Sequence, residues 1–106
     1  MPPQPLVAQI PLGGCVNLPL GVAVISLHAA RQMQRRGIGL EAVRDVLAAP
    51  DQVIPARAGR VALHRRVTFA GTVWLVRVIV DMDRFPPEVV TVYRTTRIAK
   101  YWRSDP

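Results

Sequence analysis

A single cysteine, Cys15, rules out an internal disulfide and any cysteine-based structural zinc site. Lysine is just as scarce: Lys100 is the only one among 14 basic residues, which face 7 acids and leave a formal charge of +7. The excess is therefore arginine, whose planar fork of donors matches phosphate oxygens in pairs. That bias points to a polyanionic partner, nucleic acid or an acidic protein, rather than to solubility alone. No charged side chain precedes Arg31, which raises the question of an export signal or membrane span in MPPQPLVAQIPLGGCVNLPLGVAVIS. The stretch has no basic n-region and is broken by Pro11, Gly13, Gly14, Pro19 and Gly21, and its unbroken apolar part is only about ten residues long. A Pro/Gly-rich leader over residues 1–25, loose or partly strand-forming, is expected instead, with no membrane partner. Also missing are a phosphate-cradling glycine loop, a nucleophile elbow and any zinc-ligand spacing. Asp81 and Asp83 share a turn with no histidine nearby, too few ligands for a divalent cation. Neither a metal nor a cofactor is expected.

What is present is a globular composition, half apolar and one-fifth charged, in a chain of 106 residues that suits one small domain. Ser26 is a candidate N-cap for LHAARQMQRRG, whose helix stops at Gly37. At about 100° per residue, Leu27, Ala29, Ala30 and Met33 gather on a core side, while His28, Arg31 and Arg35 cluster opposite. A second short helix follows in GLEAVRDVLAAP, apolar at Leu40, Val43, Val46 and Leu47 and closed by Pro50. The period then changes to two. From Val61 to Phe69, Val61, Leu63, Val67 and Phe69 alternate with His64, Arg66 and Thr68, with Arg65 as the exception on the apolar side. Ala70-Gly71 is the expected hairpin turn into VWLVRVIVD, which is apolar on both faces and so central in a sheet. VVTVYR follows the MDRFPPE turn, Asp51 to Ala56 adds a short strand, and TRIAKYW closes as a turn of helix. The expected fold is α+β: two N-terminal helices packed on an antiparallel sheet of three to four strands, with a short C-terminal helical turn.

The succession SLHAARQMQRRGI, DVLAAPDQV, GRVALHRRV, WLVRVIVD and VVTVYRTTRIAKYW resembles the bacterial domain-of-unknown-function family 4258. The resemblance covers about residues 26–102 and leaves the leader outside. Its most specific elements are His28-Ala29, Arg36-Gly37-Ile38 and Tyr93-Arg94-Thr95; Gly39 stands where members often have serine, a departure that touches only a helix cap. The resemblance implies a RelE/ParE-like toxin fold, of the barnase/EndoU/colicin-like kind, in which the first helix flanks a concave sheet face that carries a polyanion. It also implies an acidic antitoxin or immunity protein as partner and action in the cytoplasm, reached in some cases by delivery within a secreted effector. Proteins with this architecture include members whose target is not RNA, such as a topoisomerase.

Metal-free RNA cleavage uses the substrate's own 2′-hydroxyl as nucleophile. The protein then supplies a base, an acid and cationic donors for the charge on phosphorus. On that chemistry His28 is the expected general base or acid and His64 its weaker counterpart, with Tyr93 and Thr95 orienting the substrate. Arg31, Arg35, Arg66 and Arg94 are the expected phosphate ligands, with Lys100 and Tyr101 at the rim. The competing reading is structural: the arginines solvate a helix face, and Tyr101 and Trp102 pin the C-terminus by apolar burial. The function expected is a small toxin-type endoribonuclease acting on tRNA, mRNA or ribosome-bound RNA. The alternative is a non-catalytic module that binds nucleic acid or an acidic antitoxin or immunity protein.

Overall fold

The structure, a computed structural model, describes residues 6–9 and 22–103; Cys15 and most of the expected leader lie outside the described residues. Its elements run β1 (Leu6–Gln9), β2 (Val22–Ile25), α1 (Leu27–Arg36), α2 (Leu40–Ala48), β3 (Gln52–Pro55), β4 (Arg60–Phe69), β5 (Thr72–Asp81), β6 (Glu88–Thr95) and α3 (Ile98–Tyr101). The strands form one sheet in the order β1-β2-β6-β5-β4-β3.

This architecture overturns the expected fold. The sheet has six strands rather than three or four, two of them precede the helices, and it is mixed, because β2 runs parallel to β6 through Val24↔Glu88 and Ile25↔Val89. The apolar run VAVI enters this sheet, with Ala23 and Ile25 buried. Four-residue strands give no readable period, and a parallel partner far along the chain leaves no local mark.

Local signals fared better. Ser26 caps α1, its Oγ accepting the Ala29 amide at 3.0 Å. Gly37 ends the helix in the left-handed conformation, φ 65°, returning its N–H to the Met33 carbonyl. Ala70 and Gly71, with φ of 51° and 79°, make the two-residue turn between β4 and β5, where positive φ at both positions matches the twist of the flanking strands. β5 is central, as its two apolar faces require.

The helix–sheet core unites Met33, Val43, Val46 and Leu47 with Leu63, Val76, Val78, Val80, Val89 and Val92. A register shift where Val80 pairs Val89 and Ile79 pairs Thr91 leaves Val90 as a bulge residue. Val89 and Val92 are therefore the fully buried pair, although simple alternation along VVTVYR would put Val90 and Val92 on one face. Beyond Val89 the outer edge of β6 has no strand beside it among the described residues, and α1 covers that edge. Gln32 Oε1 accepts the Val92 N–H at 2.9 Å and Arg36 donates to the Val92 carbonyl at 2.8 Å. This contact rotates α1 relative to its expected core side: Ala29, Gln32 and Met33 are buried, whereas Leu27 is 66% exposed. The helix faces a backbone edge, so a buried amide does what a strand neighbour would do.

Gln32→Ala should therefore cost about 1–3 kcal/mol in urea unfolding, the penalty of orphaning the Val92 N–H. Arg31→Ala, on the exposed side, should stay within about 0.5 kcal/mol. Equal losses for the two would mean that the amide finds another acceptor.

Candidate functional site

Residues directly opposite each other on neighbouring antiparallel strands share a face of the sheet. Gln52 on β3 pairs with His64 on β4, His64 with Arg77 on β5, and Arg77 with Tyr93 on β6. These four side chains thus form a row straight across the face opposite α2. The C-terminal segment lies over the row. The Tyr101 ring meets the Tyr93 ring edge-on, centroids 5.7 Å apart and planes at 68°, and Arg103 exchanges backbone hydrogen bonds with the Gln52 amide at the other end.

Hydrogen bonding fixes the protonation pattern along the row. Arg77 Nε can only donate, and it does so to His64 Nε2 at 3.0 Å; the imidazole proton is thereby assigned to Nδ1, which faces Gln52 Oε1 at 3.4 Å. His64 is only 1% exposed. Burial, and then the charge of Arg77, lowers its pKa from 6.5 to about 4, so the ring is neutral at physiological pH. Arg77 also donates through its guanidinium to the Tyr93 hydroxyl, and it lies 5.6 Å from the Tyr93 ring centroid and 4.9 Å from that of Tyr101. The two phenols are driven apart. Burial raises the Tyr93 pKa against the pull of Arg77, whereas the Tyr93 hydroxyl, helped by Lys100 and Arg77, lowers that of Tyr101.

Cations and aromatic rings surround the row. Arg66 lies 4.2 Å over the Trp102 ring, Lys100 Nζ 5.3 Å from the Tyr101 centroid, and Arg36 5.9 Å from that of Tyr93. Four of the acids among the described residues are bonded elsewhere or at the margin. Glu41 pairs with Arg44, Asp81 and Glu88 pair with Arg84, and Asp51 accepts the Arg66 backbone N–H at the margin.

Of the residues expected from sequence, the structure brings together His64, Tyr93, Lys100 and Tyr101, with Arg66 beside them. The others are placed apart. His28 is exposed on α1 with its Nε2 3.0 Å from the Gln32 amide, and Arg31 and Arg35 are exposed on the same helix; no hydrogen bond of the row reaches any of the three. The first helix reaches the row through Arg36, by its contact with Tyr93. Arg94 points to the helix side of the sheet, 4.8 Å from the Trp74 ring, where it borders a cleft of about 300 Å³ with Gly37, Ile38 and Phe69. Thr95 turns its hydroxyl to the Arg97 amide at 3.0 Å. An imidazole pair made of His28 and His64 is therefore not assembled, since His64 is enclosed and both of its nitrogens are engaged.

Arg77 and Gln52 are the participants that sequence reasoning missed. For Arg77 a signal existed: it is the lone charge inside the apolar strand WLVRVIV, and a charge in a central strand needs a partner. Gln52 carries no such mark, because only strand register puts it in the row.

Among the described residues no group of three or more His, Cys, Asp or Glu side chains could hold a metal ion, and no helix is long and apolar enough to cross a membrane. A family model described as a domain of unknown function (DUF4258) matches residues 25–94. No curated protein and no solved structure gives a significant match.

The buried neutral imidazole makes stability depend on acidity. Between pH 6.5 and about 4 the unfolded chain binds a proton at His64 that the native protein does not. The stabilisation is complete above pH 6.5 and is lost as pH falls through that window, with a slope approaching about 1.4 kcal/mol per pH unit. Urea unfolding of the parent and of His64→Gln at several pH values should show that slope only in the parent. An identical slope in both would mean that His64 is ionised in the folded state.

Proposed function

The chain belongs to the DUF4258 family, and on that footing we propose that its C-terminal sheet face binds RNA and cleaves it without a metal, in the manner of a toxin-type endoribonuclease. The observation that carries this reading is the pairing of a cation with every aromatic ring of the face, Arg66 with Trp102, Lys100 with Tyr101, and Arg36 and Arg77 with Tyr93, with none of these cations in an ion pair among the described residues. Such a surface attracts the phosphate backbone and offers flat rings to unstacked bases. The α1–α2 hairpin followed by β4, β5 and β6 supports a RelE/ParE-like toxin architecture as part of the same proposal, with cytoplasmic tRNA, mRNA or ribosome-bound RNA as substrate.

The chemistry in this reading passes from imidazole to phenol. Groups whose environments push their pKa values apart divide acid and base roles. Tyr101, as phenolate, takes the proton of the 2′-hydroxyl while that oxygen attacks phosphorus. The bond from phosphorus to the 5′-oxygen breaks, and Tyr93, held protonated by burial, gives its proton to the leaving oxygen. The products are a 2′,3′-cyclic phosphate and a 5′-hydroxyl end, and the rate rises toward alkaline pH with the phenolate fraction. His28 has no part in this scheme.

One observation favours a second reading, a non-catalytic module that docks RNA or an acidic antitoxin or immunity protein. The only imidazole on this face is buried and fully committed to its neighbours.

Purified protein in EDTA should convert single-stranded RNA to cyclic-phosphate ends and leave an all-deoxy strand intact. Tyr101→Phe should lower the rate about 100-fold or more while RNA binding persists. RNA left whole, both alone and with ribosomes, would overturn cleavage. Salt-sensitive binding without cleavage would favour the module.

A further inference from the structure

We infer that Arg77 is the oxyanion-binding centre of this face, a clamp for one phosphate group, and that His64 is the positioning residue that orients it without neutralising it. The inference rests on the reading that this face meets a phosphate backbone, and it names the group that would hold the phosphate.

Arg77 sits on the central strand, half-buried, where an unpaired cation is costly unless something compensates it. Arginines in such positions are normally held by carboxylates, and even the exposed turn residue Arg84 has two within reach, Asp81 at 3.6 Å and Glu88 at 3.5 Å. Arg77 has no ion pair among the described residues. Its Nε–H goes to the neutral imidazole of His64 and one terminal N–H goes to the neutral phenol of Tyr93. Both acceptors fix the plane of the guanidinium and neither supplies a negative charge.

The remaining N–H donors of the fork make no hydrogen bond among the described residues, and the guanidinium keeps its charge 4.9 Å from the centre of the Tyr101 ring, which Lys100 also approaches. Gln52 completes the arrangement, because it faces His64 Nδ1 and so holds the tautomer that leaves Nε2 free to accept. A strut whose purpose was only to hold the sheet would gain from a carboxylate at position 64. A site for a phosphate would lose by it, because the internal acid would satisfy the charge meant for the ligand.

The two purposes therefore predict opposite responses to the same substitutions, measured on the full chain. A fluorescent single-stranded RNA oligonucleotide and inorganic phosphate serve as probes, the latter followed by the ¹⁵N resonance of Arg77 Nε. Arg77→Gln should weaken RNA binding about tenfold or more, whereas Arg57→Gln, an exposed charge in the turn before β4, should change it by about twofold at most. His64→Gln, which keeps an uncharged acceptor, should bind nearly as the parent does. His64→Glu should bind as poorly as Arg77→Gln while melting no lower than His64→Gln.

Equal binding by Arg77→Gln and Arg57→Gln, or parent-like binding by a folded His64→Glu, overturns the inference. If His64→Glu does not fold, the two arginine variants decide. A parent that binds no RNA but shows phosphate shifts at Arg77 Nε keeps the anion site and removes the RNA reading. A parent in which neither probe moves that resonance removes the site as well.

Discussion

The hydrogen bond from Arg77 Nε to His64 Nε2, 3.0 Å long and part-buried, is the contact on which the organisation of the sheet's second face depends. One face of the sheet is closed by helix packing around Val76, Val78, Val80, Val89 and Val92. The other is covered, among the described residues, by a short helix and the few residues after it. A polar row can lie under so thin a cover only if each member satisfies the next, because an unpaired buried group costs more than its partner returns. Gln52, His64, Arg77 and Tyr93 meet that condition in sequence across four strands. Tyr101 and Arg103 then dock on the row's two ends and set the course of the C-terminal segment.

A similar economy governs the β6 edge. The β2 strand pairs with only the beginning of β6, and the remainder would present open backbone groups. Gln32 and Arg36 from α1 take up the amide and carbonyl of Val92, and the same placement brings Arg36 to the Tyr93 ring. The helix that completes the core thus also contributes a cation to the margin of the row. The basic side of α1 carrying His28, Arg31 and Arg35 is left facing outward, away from the polar row.

The arginines differ in what holds them. Arg84 and Arg44 are matched by acids at the sheet's turn end and on α2, in pairs with at least one exposed member that contribute little. Arg65 spends its guanidinium on the Ala49 carbonyl. Arg36, Arg66, Arg77 and Lys100 lie instead against aromatic rings, which hold a cation in place and leave its net charge intact.

Local signals in the sequence determined a good part of this protein. The Ser26 and Gly37 caps, the apolar positions of α2, the Ala70-Gly71 hairpin and the outward turn of Tyr93 follow from residue chemistry and period, because each acts within one turn or one strand. Tertiary structure alone decided the rest. Whether Leu27 or Gln32 faces inward depended on α1 meeting a backbone edge. Whether Val89 or Val90 reaches the core depended on a bulge. His64 reads as an acid–base candidate on a polar strand face because sequence gives the face of a residue but not what lies over it. Register, set by pairing between distant strands, placed it between Gln52 and Arg77, and that placement turned a candidate proton carrier into an uncharged support.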